Sequence, residues 1–174
     1  MTAIDQSLAS VRRILKRRKL DALLVTQPEN RRYLSGYSAG DTSINESSGV
    51  LLIPSVGEPF LFTDSRFDLQ AAAEAPRYTV SLYPRGLLSL LGQLLPKLKI
   101  RRLAFESHYL LHATYLKLAK LADRHGMELE PCAGLVEALR ARKSEDELTS
   151  IERSVRLNEE VFQEIYAGLT PGMS

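Results

Sequence analysis

The chain has 174 residues, 44% hydrophobic and 25% charged, with 23 basic against 21 acidic side chains and a net charge of +2. That composition belongs to a folded globular protein, excludes disordered and fibrous classes, and gives no case for a polyanionic partner. One cysteine, Cys132, excludes an internal disulfide. No apolar run reaches the ~20 residues of a membrane helix, and the start at Met1 to Asp5 lacks a signal peptide's apolar core. A cytoplasmic setting is expected.

Ile4, Leu8, Val11 and Leu15 recur at helical spacing, with Ile14 broadening the stripe, and predict an amphipathic first helix. Arg12, Arg13, Lys16, Arg17, Arg18 and Lys19 lie mostly off that stripe. A run this basic can meet nucleic acid, but no aromatics are interleaved. A solvated face whose late cations complement the helix C-terminus is the better account. Asp21 is expected to end this helix, and 22–26 reads as a buried strand. Gln27-Pro28-Glu29 signals helix entry, with a short helix over 30–35 closed by Gly36. The polar stretch 37–48, including Gly40-Asp41 and Asn45 to Ser48, reads as an exposed loop.

Two short strands, 49–53 and 60–63, flank 54–59 as a hairpin. Asp64-Ser65 is expected to cap a helix running to Glu74 and stopped before Pro76. Strand-like 78–80 precedes a leucine-rich helix over 87–98. A strand over 102–105 leads into Glu106, and a helix carrying Leu111, Tyr115, Leu118 and Leu121 ends at Gly126. A last strand over 127–130 and a short helix over 135–139 follow. Strands alternating with helices around one central hairpin argue an α/β fold: a mixed β-sheet with helices on both faces.

A long helix over 145–167 closes the chain. Leu148, Ile151, Val155, Asn158, Phe162, Ile165 and Leu169 form one stripe. Ser144 and Glu147 make a capping-box pattern, and Gly168 with Pro171-Gly172 is expected to stop the helix. Such a stripe needs a partner, so this segment reads as the opening of a second domain.

Residue chemistry alone gives no complete active site. The three histidines are His108, His112 and His125. His108 and His112 stand four apart, but Tyr109 occupies the place where a zinc-binding H-E-x-x-H helix carries glutamate. Cys132 has no neighbouring base and reads as a small buried residue. No nucleophile elbow, P-loop or dinucleotide fingerprint occurs.

Three stretches do form a constellation. The run from Val25 to Tyr37, with Pro28, Asn30, Tyr33, Leu34, Ser35 and Gly36, resembles the N-P-x-N-x-x-Y-L-T/S-G-F/Y stretch of creatinase/prolidase N-terminal domains. Thr63, Asp64, Arg66 and Phe67 resemble that family's T-D-x-R-Y segment. Leu139, Arg140, Lys143, Ser144 and Glu147, with Pro171-Gly172-Met173, resemble its L-R-x-x-K-S-x-x-E linker and P-G-M helix end.

The resemblance implies a ribonuclease H-like N-terminal domain over 1–139. Residues 140–174 would then be the linker and first helix of a truncated catalytic domain. The family implied is that of the pita-bread metallopeptidases, the Xaa-Pro dipeptidases, Xaa-Pro aminopeptidases and creatinase. Their catalytic domain uses two divalent metal ions (manganese, cobalt or zinc), and none of the ligands falls in this chain. The resemblance further implies a peptide substrate, a homodimer, and an N-terminal domain that shapes the active-site mouth.

Arg66 is the first candidate for that mouth, since a guanidinium pairs bidentately with a carboxylate, which every small peptide carries. The competing account is a local Asp64–Arg66 arrangement at a helix start. Asn30, Tyr33 and Tyr37 either line the groove or serve packing and turn formation. Phe67 lacks the hydroxyl of the commoner tyrosine, and 41–48 departs from the family's usual shorter link.

Overall fold

The computed structural model describes residues 2–43, 46–170 and 172–173. Met1, Asn45, Pro171 and Ser174, used in the sequence reading, lie outside the described residues. The chain divides into two compact units, Met1–Leu139 and Arg140–Ser174.

In the first unit, β1 (Ala22–Val25), β2 (Val50–Pro54), β3 (Phe60–Thr63), β4 (Thr79–Leu82), β5 (Arg102–Glu106) and β6 (Glu128–Cys132) form one sheet. Its order is β4-β3-β2-β1-β5-β6. β2 pairs antiparallel with both neighbours, whereas β1–β5, β5–β6 and β3–β4 pair in parallel. β2 therefore runs against all the other strands.

The side-chain period of two splits each central strand between two cores. Leu23, Val25, Leu51, Ile53 and Leu61 face one side with Leu8, Val11 and Leu15 of α1 (Ala3–Arg17). Leu34 of α2 (Pro28–Ser35), Ala71 of α3 (Asp68–Glu74) and Leu135 and Val136 of α6 (Leu135–Arg140) complete that layer. Ala22, Leu24, Val50, Leu52, Phe62 and Leu103 face the other side. There they meet Leu91 and Leu95 of α4 (Leu87–Lys97) and Leu118 and Leu121 of α5 (His112–His125). The helices thus cover both faces, as the alternating pattern predicts. Truncating any of these buried leucines to alanine should cost about 2–5 kcal/mol.

Local signals explain several element ends. Thr2 and Asp5 form a capping box at the start of α1. Gly36 closes α2 at φ +82, and a Cβ there would stand 3.2 Å from both the Glu74 carbonyl oxygen and Ile4 Cδ1. Any side chain there would be strained both by the left-handed backbone and by these contacts.

Three expectations need correction, and the two nearby histidines separate. α1 ends at Arg17, and Asp21 instead accepts the backbone N–H groups of Arg101 and Arg102 at 2.7 and 2.8 Å, fastening β1 beside β5. The helix after β3 begins at Asp68 with Phe67 as its cap residue, so Asp64-Ser65 does not cap it. The Asp64 carboxylate has a stronger partner than a helix end, namely the Arg66 guanidinium. The stretch 37–48 is no solvated loop throughout, because Tyr37, Ala39 and Ser48 are buried. His108 lies in the turn before α5, so it and His112 do not share a helix.

The second unit consists of α7 (Glu145–Gly168) and its flanks. Ser144 and Glu147 form the expected capping box. The helix ends through Leu169 in an extended conformation rather than through a left-handed glycine, and Gly168 is its last helical residue. Leu148, Ile151, Val155, Phe162 and Ile165 are all exposed. Asn158 donates to the Ser154 carbonyl one turn back at 3.0 Å.

Candidate functional site

Because β2 alone is reversed, the carboxyl ends of β1, β3, β4, β5 and β6 share one edge with the start of β2. Open α/β sheets place their ligands at that edge. Here it holds two buried polar clusters and one exposed ion pair.

The first cluster fills the crevice between β1 and β5. The Glu106 carboxylate, at the last residue of β5, accepts the N–H groups of Thr26 and Gln27 at 2.6 and 2.7 Å. Its other oxygen accepts Asn30 Nδ2 at 2.7 Å. Gln27 is the cap residue of α2 and makes no side-chain cap of its own. Glu106 thus supplies the anion that a helix N-terminus favours. Burial pushes its carboxyl pKa up, while the N–H groups of Gln27, Asn30 and Thr26 pull it back down. Donors that elsewhere bind a ligand anion are here taken by the protein's own side chain.

The second cluster surrounds Arg31, whose side chain is fully buried. Nη1 donates to the Gly49 carbonyl at 2.6 Å and to Ser47 Oγ at 3.3 Å. Nη2 donates to Ser48 Oγ at 2.7 Å, to Asp41 Oδ1 at 3.0 Å and to the Ala39 carbonyl. The guanidinium carbon stands 5.4 Å from the Tyr37 ring centroid. The tyrosine hydroxyl donates to the Ser48 carbonyl at 3.0 Å, and burial raises its pKa. One cation thereby gathers both ends of the stretch from 39 to 49.

The third feature is solvent-facing. Asp64 and Arg66 follow β3 directly, and Arg66 Nη2 lies 2.8 Å from Asp64 Oδ2. Arg66 Nε is 3.1 and 3.2 Å from the two carboxylate oxygens. That side-on grip holds the Asp64 pKa below its ordinary value and raises that of Arg66. The Nη1 side of the guanidinium makes no contact with the aspartate, so an end-on approach to a second carboxylate stays open. Phe67 supplies the platform, with Arg66 Cζ 5.3 Å from its ring centroid.

The four sequence candidates therefore separate. Arg66 is exposed at the edge, whereas Asn30 and Tyr37 are fully buried in the two polar clusters. Tyr33 packs partly buried against the first core. The sequence pattern does not mark Arg31, Asp41, Glu106 or Glu137 as site residues. Between exposed Glu29 and Arg32, Arg31 carries no local signal of burial, because its acceptors lie between Ala39 and Gly49. Among the described residues no group of three or more His, Cys, Asp or Glu side chains converges to hold a metal. No helix among the described residues is long and apolar enough to cross a membrane.

Comparison with known proteins agrees with this architecture. An uncharacterized peptidase of Bacillus subtilis, YqhT, is 26% identical over 96% of this chain, which spans 44% of that protein. An Xaa-Pro dipeptidase from Bacillus anthracis superposes with a TM-score of 0.86 at 24% identity, over 98% of this chain and 45% of its own. The N-terminal domain of the cytoplasmic peptidase PepQ from Mycobacterium tuberculosis matches 77% of this chain and 98% of its own, at 29% identity and a TM-score of 0.67. The chain thus spans less than half the length of the first two. The sequence pattern of the creatinase/prolidase N-terminal domain matches residues 8–142. With that match and the shared fold, the chain belongs to the creatinase/prolidase N-terminal domain family.

Proposed function

We propose that this chain is the non-catalytic N-terminal region of a proline-specific metallopeptidase, which shapes the mouth of the active site and contributes to a homodimer. The observation that carries this reading is the family match over residues 8–142, continuous with the capped helix α7 that follows it. Hydrolysis of an Xaa-Pro bond calls for a dedicated enzyme, because proline lacks the amide N–H and fixes the backbone that general peptidases grip. In this reading the metals and the hydrolytic step belong to a catalytic domain that α7 opens. The exposed apolar stripe of α7 supports that role, since several large apolar side chains left in water are unfavourable.

Within this reading Arg66 faces the mouth, offering its unoccupied guanidinium edge to a peptide carboxylate. Asp64 and the Phe67 ring hold it ready. The cytoplasmic setting rests on the lone buried thiol and on a relative described as a cytoplasmic peptidase.

The test is hydrolysis of Xaa-Pro dipeptides and tripeptides by the intact parent protein with added manganese, cobalt or zinc. Metal-dependent cleavage is expected from the parent and none from residues 1–174 alone. A parent that folds, binds these peptides and never cleaves them would instead be a binding protein on the same scaffold.

A further inference from the structure

We infer that Asn30 is a relay that couples the carboxyl end of β5 to α6, the last helix of the first unit. Its Nδ2 lies 2.7 Å from Glu106 Oε1, 2.8 Å from Glu137 Oε1 and 3.0 Å from Gln27 Oε1. Glu106 ends β5, and Glu137 sits in α6. One buried amide nitrogen on α2 therefore joins two carboxylates from elements far apart in the chain.

That nitrogen carries only two hydrogens, so three acceptors share them. Asn30 is fully buried, and its side chain has no solvent to turn toward. A change in what Glu106 demands of the amide must alter what Glu137 receives. The dependence matters because α6 has six residues and cannot hold a helical turn by itself. Its fully buried apolar contacts, Leu135 and Val136, are its first two residues. Glu137 follows them along the helix with its bond from Asn30, just before the boundary between the two units at Leu139 and Arg140. The relay thus sets how firmly the first unit holds the point where the chain leaves it.

Glu106→Gln shows how a signal would pass. Glutamine has one acceptor oxygen, where Glu106 uses two. Keeping the Thr26 and Gln27 N–H groups satisfied takes that oxygen and turns the new Nε2 toward Asn30. Asn30 must then flip to present its own oxygen, and that oxygen faces the Glu137 carboxylate. α6 loosens through the flipped amide.

Amide hydrogen exchange across residues 135–140, measured in the 174-residue chain, tests the relay, with residues 22–25 as internal control. Glu137→Ala should speed exchange in α6 about tenfold, the scale of a lost hydrogen bond to a charged group. Glu137→Gln keeps an acceptor and should stay near wild type. Glu106→Gln should speed α6 exchange when residue 137 is glutamate and leave it unchanged when residue 137 is alanine. Should that variant fail to fold, Glu106→Asp keeps the charge, withdraws the oxygen from Asn30 and reads the same coupling. Unchanged α6 exchange in Glu137→Ala would overturn the clamp. Independent, multiplying effects at 106 and 137 would overturn the relay.

Discussion

Arg31 Nη2 and Asp41 Oδ1 meet at 3.0 Å, with the guanidinium fully buried and the carboxylate only 5% exposed. A buried charge stripped of its partner is costly, and neighbouring carbonyls cannot neutralise it. Arg31→Met should therefore lower stability by about 3–5 kcal/mol, read from urea melts. Asp41→Asn in the same background should recover part of the loss, because it removes the orphaned charge. Arg31→Lys should recover little, since an ammonium cannot reproduce a planar fork shared among the Ala39, Gly49, Ser47, Ser48 and Asp41 oxygens.

Burial raises the folded-state pKa of Glu106 above its ordinary 4.5. A raised carboxyl means that the native state binds the proton more tightly than the unfolded chain. The stability linked to Glu106 is thus fully present below its ordinary value and is lost as pH rises through the folded value. Melting the wild type and Glu106→Gln from pH 4 upward should show a decline in the wild type that the variant lacks in that window. Parallel profiles would assign the decline to other carboxyls.

Asp64 titrates below its ordinary 3.8, chiefly because Arg66 donates to it. Arg66→Ala should return that carboxyl to its ordinary range, seen by carbon-detected NMR titration. Both groups face water, so thermal stability should barely move. On the proposal that the parent protein is an Xaa-Pro peptidase, the same substitution should lower its kcat/KM for short peptides by about tenfold, the equivalent of one carboxylate contact. A normalised Asp64 with unchanged kinetics would make Arg66 a local structural residue.

The 174-residue chain should self-associate through α7. Leu148, Ile151, Val155, Phe162 and Ile165 are exposed at the three-four spacing that suits helix-on-helix packing. Sedimentation equilibrium should show a dimer that Val155→Glu with Phe162→Glu dissociates. A monomer at millimolar concentration, with the helix intact by circular dichroism, would reject the pairing.

The elements legible in the sequence were those specified by neighbours along the chain. Leu8, Val11 and Leu15 announce their buried face by spacing, and Ser144 with Glu147 announces a helix start. Asp64 misled because an aspartate before a helix reads as a cap, while two residues on a guanidinium offered it a charge-assisted bond. Arg31 was hidden for a different reason. Beside Arg32 in a short helix it reads as one of a solvated pair, and its burial depends on acceptors that the chain supplies only between Ala39 and Gly49. Asn30 carries a motif signature that suggests a groove or a turn, and the residues it holds, Glu106 and Glu137, lie too far along the chain for that signature to reveal. The clusters at the carboxyl edge join residues distant in sequence, which local propensity does not register.

The strand order also bears on how the protein is made. β1 finds β2 early in synthesis, but its parallel partner β5 emerges only after four-strand growth through β4 and the whole of α4. Until α4 emerges, the half-built sheet has α1, α2 and α3 on one side and no helix on the other. Ala22, Leu24, Val50, Leu52 and Phe62 would stand bare to water for that interval. A nascent chain stalled near residue 86 should therefore bind chaperones that capture apolar strands, and one released past α5 should not. Parallel pairings that close long loops form slowly, so this vulnerable stage is built into the topology itself.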